Sequence, residues 1–269
     1  MSLRSGSADE QPVGEPLPGW RAPPLPAGLL LEGRYSRLEP LVAECHAASL
    51  YAAYAVDTAG RNWTYLPYGP FADIDTFQSW MATRCGDRDP LFYAVIERAS
   101  GRALGMASYL RIAPESGSIE LGHIHFSPLL QRTPTATEAL YLLFKHAFEL
   151  GYRRCEWKCD ALNAPSRAAA QRLGLAFEGI FRQATVVKGR NRDTAWYATI
   201  DREWPALDAA FSRWLDPANF DAAKVTALID ASSLDDATKT TLKASVTAAA
   251  SNPALVQGAV DAVKAALGL

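Results

Sequence analysis

Apolar positions change period several times along the chain, and those changes lay out the elements. Residues 29–41, LLLEGRYSRLEPL, alternate apolar and polar side chains and predict a strand. Residues 42–56, VAECHAASLYAAYAV, repeat at helical spacing. A loop with aromatic residues and two prolines, NWTYLPYGPF at 62–71, leads to a helical segment over 73–85, with Asp73 as its expected cap. The period then shortens towards two. Segments 91–98, 102–112 and 117–126 read as consecutive antiparallel strands, with turns at ASG and APESG. A helix to about residue 150 closed by Gly151, a strand over 153–161 and a short helix over 163–174 stopped by Gly174 follow. Two last strands, over 176–189 and 193–204, flank the turn KGRNRD. This order predicts an α/β (α+β) fold: a mixed sheet with helices on its faces.

The ends differ from the middle. Residues 1–28 are rich in Pro, Gly and Ser, and the run PLPGWRAPPLPAG excludes helix and central strand because proline lacks the amide donor. A polyproline-like lead-in laid over the surface by Trp20 is expected. Residues 29–215 hold the mixed sheet. Residues 222–269 are rich in alanine and lack aromatics, and Val260, Val263, Ala266 and Leu267 follow helical spacing. They predict an appendage of two or three short helices, serving packing or oligomerisation (a homodimer included) rather than a membrane surface, because the polar face carries mixed charge.

Composition narrows the function classes. A net charge of −2 gives no global attraction to nucleic acid or anionic membrane. The sequence shows neither a signal-type apolar core nor a run of roughly 20 apolar residues, so a cytoplasmic protein without a membrane span is expected. Cys45, Cys85, Cys155 and Cys159 form no C-x-x-C pair and join no His cluster, so reduced, buried thiols and no metal are expected. Cys155 and Cys159 fall on one face of a strand.

The stretch LLQRTPTATEALYLLF, 129–144, carries the first candidate chemistry. It runs from a strand into a helix, where unpaired amides and the positive dipole end suit a diphosphate. It has no glycine. Thr133, Thr135, Thr137 and the Arg132 guanidinium can meet phosphate oxygens. The ordinary alternative is a capping box, with Thr135 as N-cap and Glu138 three residues later. Both can hold together.

Four segments then occur in a telling order. WTYLPYGPF, IELGHIHFSPLLQRTPTATEAL, NAPSRAAAQRLGLAFEG and KGRNRDTAWYA resemble the aromatic loop, the strand–turn–helix, the N-x-x-S…L-G-F segment and the closing hairpin of the GNAT acyltransferase superfamily. Within it they are similar to the Rim-type branch that acetylates ribosomal-protein N-termini. The resemblance covers 29–204. It implies a mostly antiparallel sheet splayed between 117–126 and 153–161, with acetyl-CoA as co-substrate in the splay. It implies CoA contacts at Phe126, Gln131, Arg132, Thr133, Thr135, Ala136 and Thr137, and at Asn163, Ser166 and Arg167. Two departures stand out. Pro134 replaces the first glycine of the family's Q/R-x-x-G-x-G/A turn. Ala170 stands where relatives carry the tyrosine that protonates the departing thiolate, leaving Ser166, Cys159 or Tyr197 as donors, or water.

Acyl transfer also needs a neutral amine, so a base is sought. Glu120 lies where relatives often carry a glutamate; the ordinary reading is a salt-bridged strand carboxylate. His125, with His123, is the second candidate, and strict alternation sets both histidines on the face opposite Glu120. A backbone amide near Phe126 would polarise the thioester carbonyl. The acceptor wall would comprise Tyr65, Tyr68, Phe71 and Trp157, unless these are simply core. The acceptor is a small-molecule amine or a protein N-terminus. Two alternatives remain open. The basic hairpin with Arg182, Lys188, Arg190 and Arg192 could hold the CoA 3′-phosphate or the backbone of an aminoacyl-tRNA donor. The fold could also serve as a non-catalytic CoA-binding module.

Overall fold

The structure, a computed structural model, describes residues 11–252 and 255–268. Its strands are β1 (Leu31–Glu32), β2 (Ser36–Pro40), β3 (Leu91–Glu97), β4 (Arg102–Ala113), β5 (Ser118–Phe126), β6 (Arg154–Asp160), β7 (Ala176–Val187) and β8 (Arg190–Ile200). Its helices are α1 (Ala43–Tyr54), α2 (Ile74–Ala82), α3 (Pro134–Glu149), α4 (Ala164–Arg172), α5 (Trp204–Leu215), α6 (Ala222–Ala231), α7 (Asp236–Ser251) and α8 (Val256–Leu267). The strands form one sheet in the order β1-β2-β3-β4-β5-β6-β8-β7. Each neighbouring pair is antiparallel except β5 and β6. The exception follows from α3, which carries the chain over one face between them, as a parallel pair requires.

Each face has its own core. Ile119, Leu121, Phe126, Trp157 and Tyr197 pack against α3 and α5 through Leu140, Phe144 and Phe211. Phe92, Ala94 and Met106 pack on the other face against Leu50 and Tyr54 of α1, Phe77 and Met81 of α2, and Trp63. The C-terminal helices have a separate small core of Ile229, Leu242, Val246 and Val263. No helix among the described residues is long and apolar enough to cross a membrane.

The expected strand over 29–41 is divided. At 33–35 the chain turns, and the reason is Glu138 of α3. Its carboxylate is buried and accepts hydrogen bonds from the amides of Arg34 (2.8 Å), Tyr35 (2.7 Å) and Ser36 (2.7 Å) and from the Ser36 hydroxyl (3.0 Å). Any side chain at Gly33 would collide with that carboxylate. Glu138 is therefore not a capping-box partner of Thr135. The N-cap is Thr133, whose Oγ1 accepts from the Ala136 amide at 3.1 Å, and Pro134 takes the first helical position, where its missing N–H costs nothing. Thr135 is buried in the first turn.

Two further boundaries shift. The last strand ends at Ile200 rather than 204, and α5 follows, burying Phe211 and Leu215. The hairpin turn is only Lys188-Gly189, both at positive φ, as a two-residue turn matching strand twist requires. Of the lead-in, residues 1–10 lie outside the described residues. The rest lies against the end of α3, where the Tyr152 hydroxyl donates to the Pro24 carbonyl at 3.2 Å. Cys155 and Cys159 are buried as expected, but Cys45 is exposed.

Candidate active site

The sheet forks between β5 and β6. Their pairing runs from Ser118↔Arg154 to Leu121↔Trp157 and stops there, although β5 continues to Phe126 and β6 to Asp160. Beyond the fork β6 pairs only with β8. On β5, the Ser127 amide bonds to Leu104 of β4, whereas the Phe126 carbonyl accepts from the side chains of Gln131 (2.8 Å) and Asn62 (3.5 Å). The N–H and C=O of a strand residue point the same way, so the Phe126 amide also faces the opening rather than β4.

The turn after β5 supplies the second feature. Leu130 and Gln131 donate their amides to Ser127, and Arg132 takes a left-handed conformation with φ 61°. The amides of Arg132, Thr133 and Thr135 have no partner among the described residues, and they stand at the dipole-positive end of α3. Of the threonine hydroxyls expected to meet phosphate, those of Thr133 and Thr137 have internal duties instead, and Thr135 is buried. Thr133 Oγ1 donates to the Leu130 carbonyl at 2.7 Å while capping the helix, and Thr137 Oγ1 accepts from Arg172 at 3.3 Å. What the turn leaves open to an incoming ligand is its backbone amides and the exposed Arg132 side chain. Lys264 of α8 donates to the Arg132 carbonyl, and a cavity of about 590 Å³ separates the C-terminal helices from the turn.

On the face towards α1 and α2 a chain of charge crosses the fork. Arg111 Nη1 lies 2.9 Å from both oxygens of Glu120, and Lys158 Nζ is 2.8 Å from Glu120 and 2.6 Å from Glu156. Arg154 Nε is 2.7 Å from Glu156, and its Nη1 is 2.7 Å from Glu178. Glu120 lies one residue before the last β5–β6 pair, buried at the apex of the fork. Lys158 also sits 3.8 Å from the Trp196 ring centre, a cation–π contact.

The histidines overturn the expectation from alternation. His123 has φ 49°, and the β4–β5 register slips between Met106 and Ser108. This bulge inserts one residue and reverses the phase beyond it. Ile119, Leu121 and Phe126 face α3, while Glu120 and His125 share the opposite face. His125 is buried, stacked 3.9 Å from Tyr54 and edge-on to Trp63 at 3.9 Å, and neither ring nitrogen has a partner among the described residues. Burial pushes its pKa down to about 3, so near neutral pH it stays the neutral imidazole and is too weak a base to take a second proton. His123 is held down to about 4, by burial first and then by the charges of Arg111, Arg84 and Arg192.

Two neutral histidines, His125 buried and His123 half-buried, make acid stability a test. Their folded-state values lie below the unfolded value of about 6.5, so the stabilisation is complete above that pH and is lost as pH falls. Between pH 6.5 and 3 we expect a loss on the order of 4 kcal/mol from His125, read from guanidinium midpoints at successive pH values. A His125→Phe variant should flatten that slope; an unchanged slope would refute the assignment.

On the far side of the fork, Asn163 caps α4 by accepting from the Ser166 amide at 3.1 Å, and Trp157 donates its indole N–H to Ser166 Oγ at 3.0 Å. Arg167 donates to the Tyr197 hydroxyl at 3.2 Å and to the Ala161 carbonyl at 3.2 Å. Ala170 is fully buried. Trp157 does not line an acceptor wall: alternation on β6 turns it into the α3-side core, opposite Glu156 and Lys158. The aromatic loop does cross the site. Tyr65 donates to the Leu162 carbonyl beyond β6 (3.1 Å), Lys188 donates to the Trp63 carbonyl (2.8 Å), and Phe71 packs with Trp63, Phe77 and Trp80. Tyr68 stacks on His123 with centroids 5.6 Å apart.

Arg111, Lys158 and Asn62 escaped the sequence reading. The alternation R-C-E-W-K-C-D over 154–160 carried the signal for Lys158, a charged face on a strand whose other face is core. Nothing local announces Arg111 or Asn62. No group of His, Cys, Asp or Glu among the described residues has the arrangement of a metal site.

The chain is similar to known proteins in both sequence and fold. The sequence profile described as "Acetyltransferase (GNAT) domain" matches residues 37–176. The chain belongs to the GNAT family. It is an acetyltransferase, and acetyl-CoA is the donor that the family uses. The GCN5-related N-acetyltransferase from Brucella melitensis is 50% identical, with a TM-score of 0.75 over 77% of this chain and 94% of its own. A GNAT-family structure from Chromobacterium violaceum is 46% identical, with a TM-score of 0.68, covering 74% and 100% respectively. The uncharacterised N-acetyltransferase YnaD of Bacillus subtilis is 25% identical over 165 residues, 61% of this chain and 95% of its own. The acetyltransferase fits its co-substrate: an unpartnered amide faces the fork, and partner-free amides stand at a helix N-terminus beside Arg132.

Proposed function

We propose that the protein acetylates a primary amine, of a small molecule or a protein N-terminus, by direct attack within a ternary complex. Glu120 accepts the amine's proton, the Phe126 amide holds the thioester oxygen, and the turn from Arg132 to Thr135 holds the diphosphate. The observation that supports this most is Glu120 at the apex of the fork, on the sheet face away from α3. Attack at the thioester carbonyl forms the amide bond and breaks the carbon–sulfur bond. The amine's proton passes to the carboxylate, and sulfur leaves with the electron pair. A thiol with a pKa of about 8.5 leaves with little help. That suits a site with Ala170 in place of a tyrosine and Ser166 already bonded to Trp157. Of the sequence candidates, His125 has the wrong basicity for proton removal, so Glu120 carries that role alone.

Calorimetric titration with acetyl-CoA, followed by thiol release with a panel of amines, tests this reading; absence of saturable acetyl-CoA binding would overturn it. An Arg132→Gly variant sharpens the diphosphate assignment. Glycine adopts the left-handed conformation without strain, so folding stability should hold or rise. Loss of the guanidinium should weaken acetyl-CoA binding roughly tenfold, in keeping with a charge-assisted phosphate contact. Unchanged affinity would remove Arg132 from the site.

A further inference from the structure

Beyond the bulge, the α1–α2 face of the sheet holds polar groups that the transfer reaction does not use. Tyr68, from the aromatic loop, stacks on His123 at 5.6 Å and lies tilted against Trp80 at 4.3 Å, and its buried hydroxyl oxygen has no partner among the described residues. Burial pushes that phenol's pKa up, so it stays a neutral O–H donor. Arg192 of β8 leaves its buried Nε without a partner as well. It lies four residues from Trp196, which pairs with Lys158 across the ladder, so it shares the Glu120 and Lys158 face. Buried donors left unpaired cost about 1–3 kcal/mol each, which asks for an acceptor that the folded chain does not supply.

The charge balance points the same way. Three guanidinium groups act on His123: Arg111, Arg84 and Arg192. Arg111 is neutralised by both oxygens of Glu120. Arg84, just past α2, and Arg192 form no ion pair among the described residues, and Arg84 also acts on Tyr68. The neutral His123 ring between them offsets neither charge. One end of this face therefore presents a carboxylate, Glu120, and the other presents two uncompensated cations and a phenol donor.

Resting on the acetyltransferase reading above, we infer that the acceptor is a small zwitterion: its amine meets Glu120, and its anionic group, carboxylate or phosphate, docks on Tyr68, Arg84 and Arg192. A planar guanidinium recognises either oxyanion, so both sources share the chemistry.

Matched amines separate the outcomes. Initial rates of thiol release are measured with phosphoethanolamine against ethanolamine, and with β-alanine against its amide. The anionic member of a pair should show at least tenfold higher kcat/KM, and the pair that shows it identifies phosphate or carboxylate. Arg192→Met and Arg84→Met should each raise KM for the preferred amine about tenfold, with kcat and the KM for acetyl-CoA within twofold. Equal use of charged and neutral amines, or equal losses for both in the variants, would overturn the inference; a preference for peptide N-termini over all four would replace it with a protein acceptor.

A binding arm does not need turnover. Protein saturated with CoA is titrated with inorganic phosphate and, separately, with succinate. Saturable binding of at least one, weakened tenfold or more by Arg192→Met, is expected. No saturable binding of either overturns the anion site even if CoA binds well. Failure of CoA to bind overturns the underlying acetyltransferase reading instead.

Discussion

Glu120→Gln lowers kcat for amine acetylation about a hundredfold or more and leaves acetyl-CoA affinity within twofold. Glutamine keeps the volume and one oxygen for Lys158 and Arg111, so the fork should keep its shape, but the amide is no base. The carboxylate bridges Arg111 at 2.9 Å and Lys158 at 2.8 Å, and neither cation can remove a proton from an ammonium substrate. General-base contributions of about 10²–10⁴ set the scale. A purely structural role predicts a different signature: stability would fall, and kcat would recover at high pH no more than in the wild type. With a lost base, the variant's rate should climb with pH, as solution supplies more free amine. Steady-state rates between pH 6 and 9, beside a denaturation curve, distinguish the two. Turnover equal to wild type would remove Glu120 from the mechanism.

Glu138→Ala should destabilise the protein by about 3–5 kcal/mol, the scale for leaving several donors of a buried carboxylate unpaired at about 1–3 kcal/mol each. The carboxylate is the sole acceptor shown for the amides of Arg34, Tyr35 and Ser36, and it also holds the Ser36 hydroxyl. Without it the Ser36 amide and hydroxyl are left buried without that acceptor, while the half-buried Tyr35 amide and the Arg34 amide nearer the surface must turn to water. The same contact ties β2 to the first turns of α3, so acetyl-CoA binding at the α3 N-terminus should weaken too. Urea denaturation followed by circular dichroism reads the stability change. A loss below about 1 kcal/mol would mean that water replaces the carboxylate, and that the β1–β2 turn needs no anchor.

The two residues differ in how legible they were. Glu120 could be picked out because its motif, IELGHIHF, sits before the turn and in order with three others. Its partners could not, since Arg111 and Lys158 come from β4 and β6 and only the sheet brings them together. Glu138 was misread. Three positions after Thr135 it fits a capping box, but buried in the sheet–helix interface it meets a more distant and better set of donors. Tertiary contact outweighed a local motif worth about 1 kcal/mol.

The histidines show the same limit. Alternation is reliable while a strand is regular, and it placed Cys155 and Cys159 on one face by register alone. It fails at His123 because one residue in a left-handed turn shifts every later side chain to the other face. No signal in G-H-I-H-F marks that residue.

By itself, the sequence determined the order of strands and helices from the helix at 42–56 to the final hairpin, the family and the chemistry of a thioester donor, because each is encoded in periods and motifs a few residues long; the split of the first strand, the Thr133 cap and α5 came only with the structure. The tertiary structure alone decided where β5 and β6 part, that His125 is a buried neutral ring, that Glu120 bridges two cations, and that Tyr68 and Arg192 leave buried polar atoms unpaired among the described residues on the Glu120 face. Those depend on register slips and contacts between segments up to about a hundred residues apart, which burial and charge settle only once the sheet has formed.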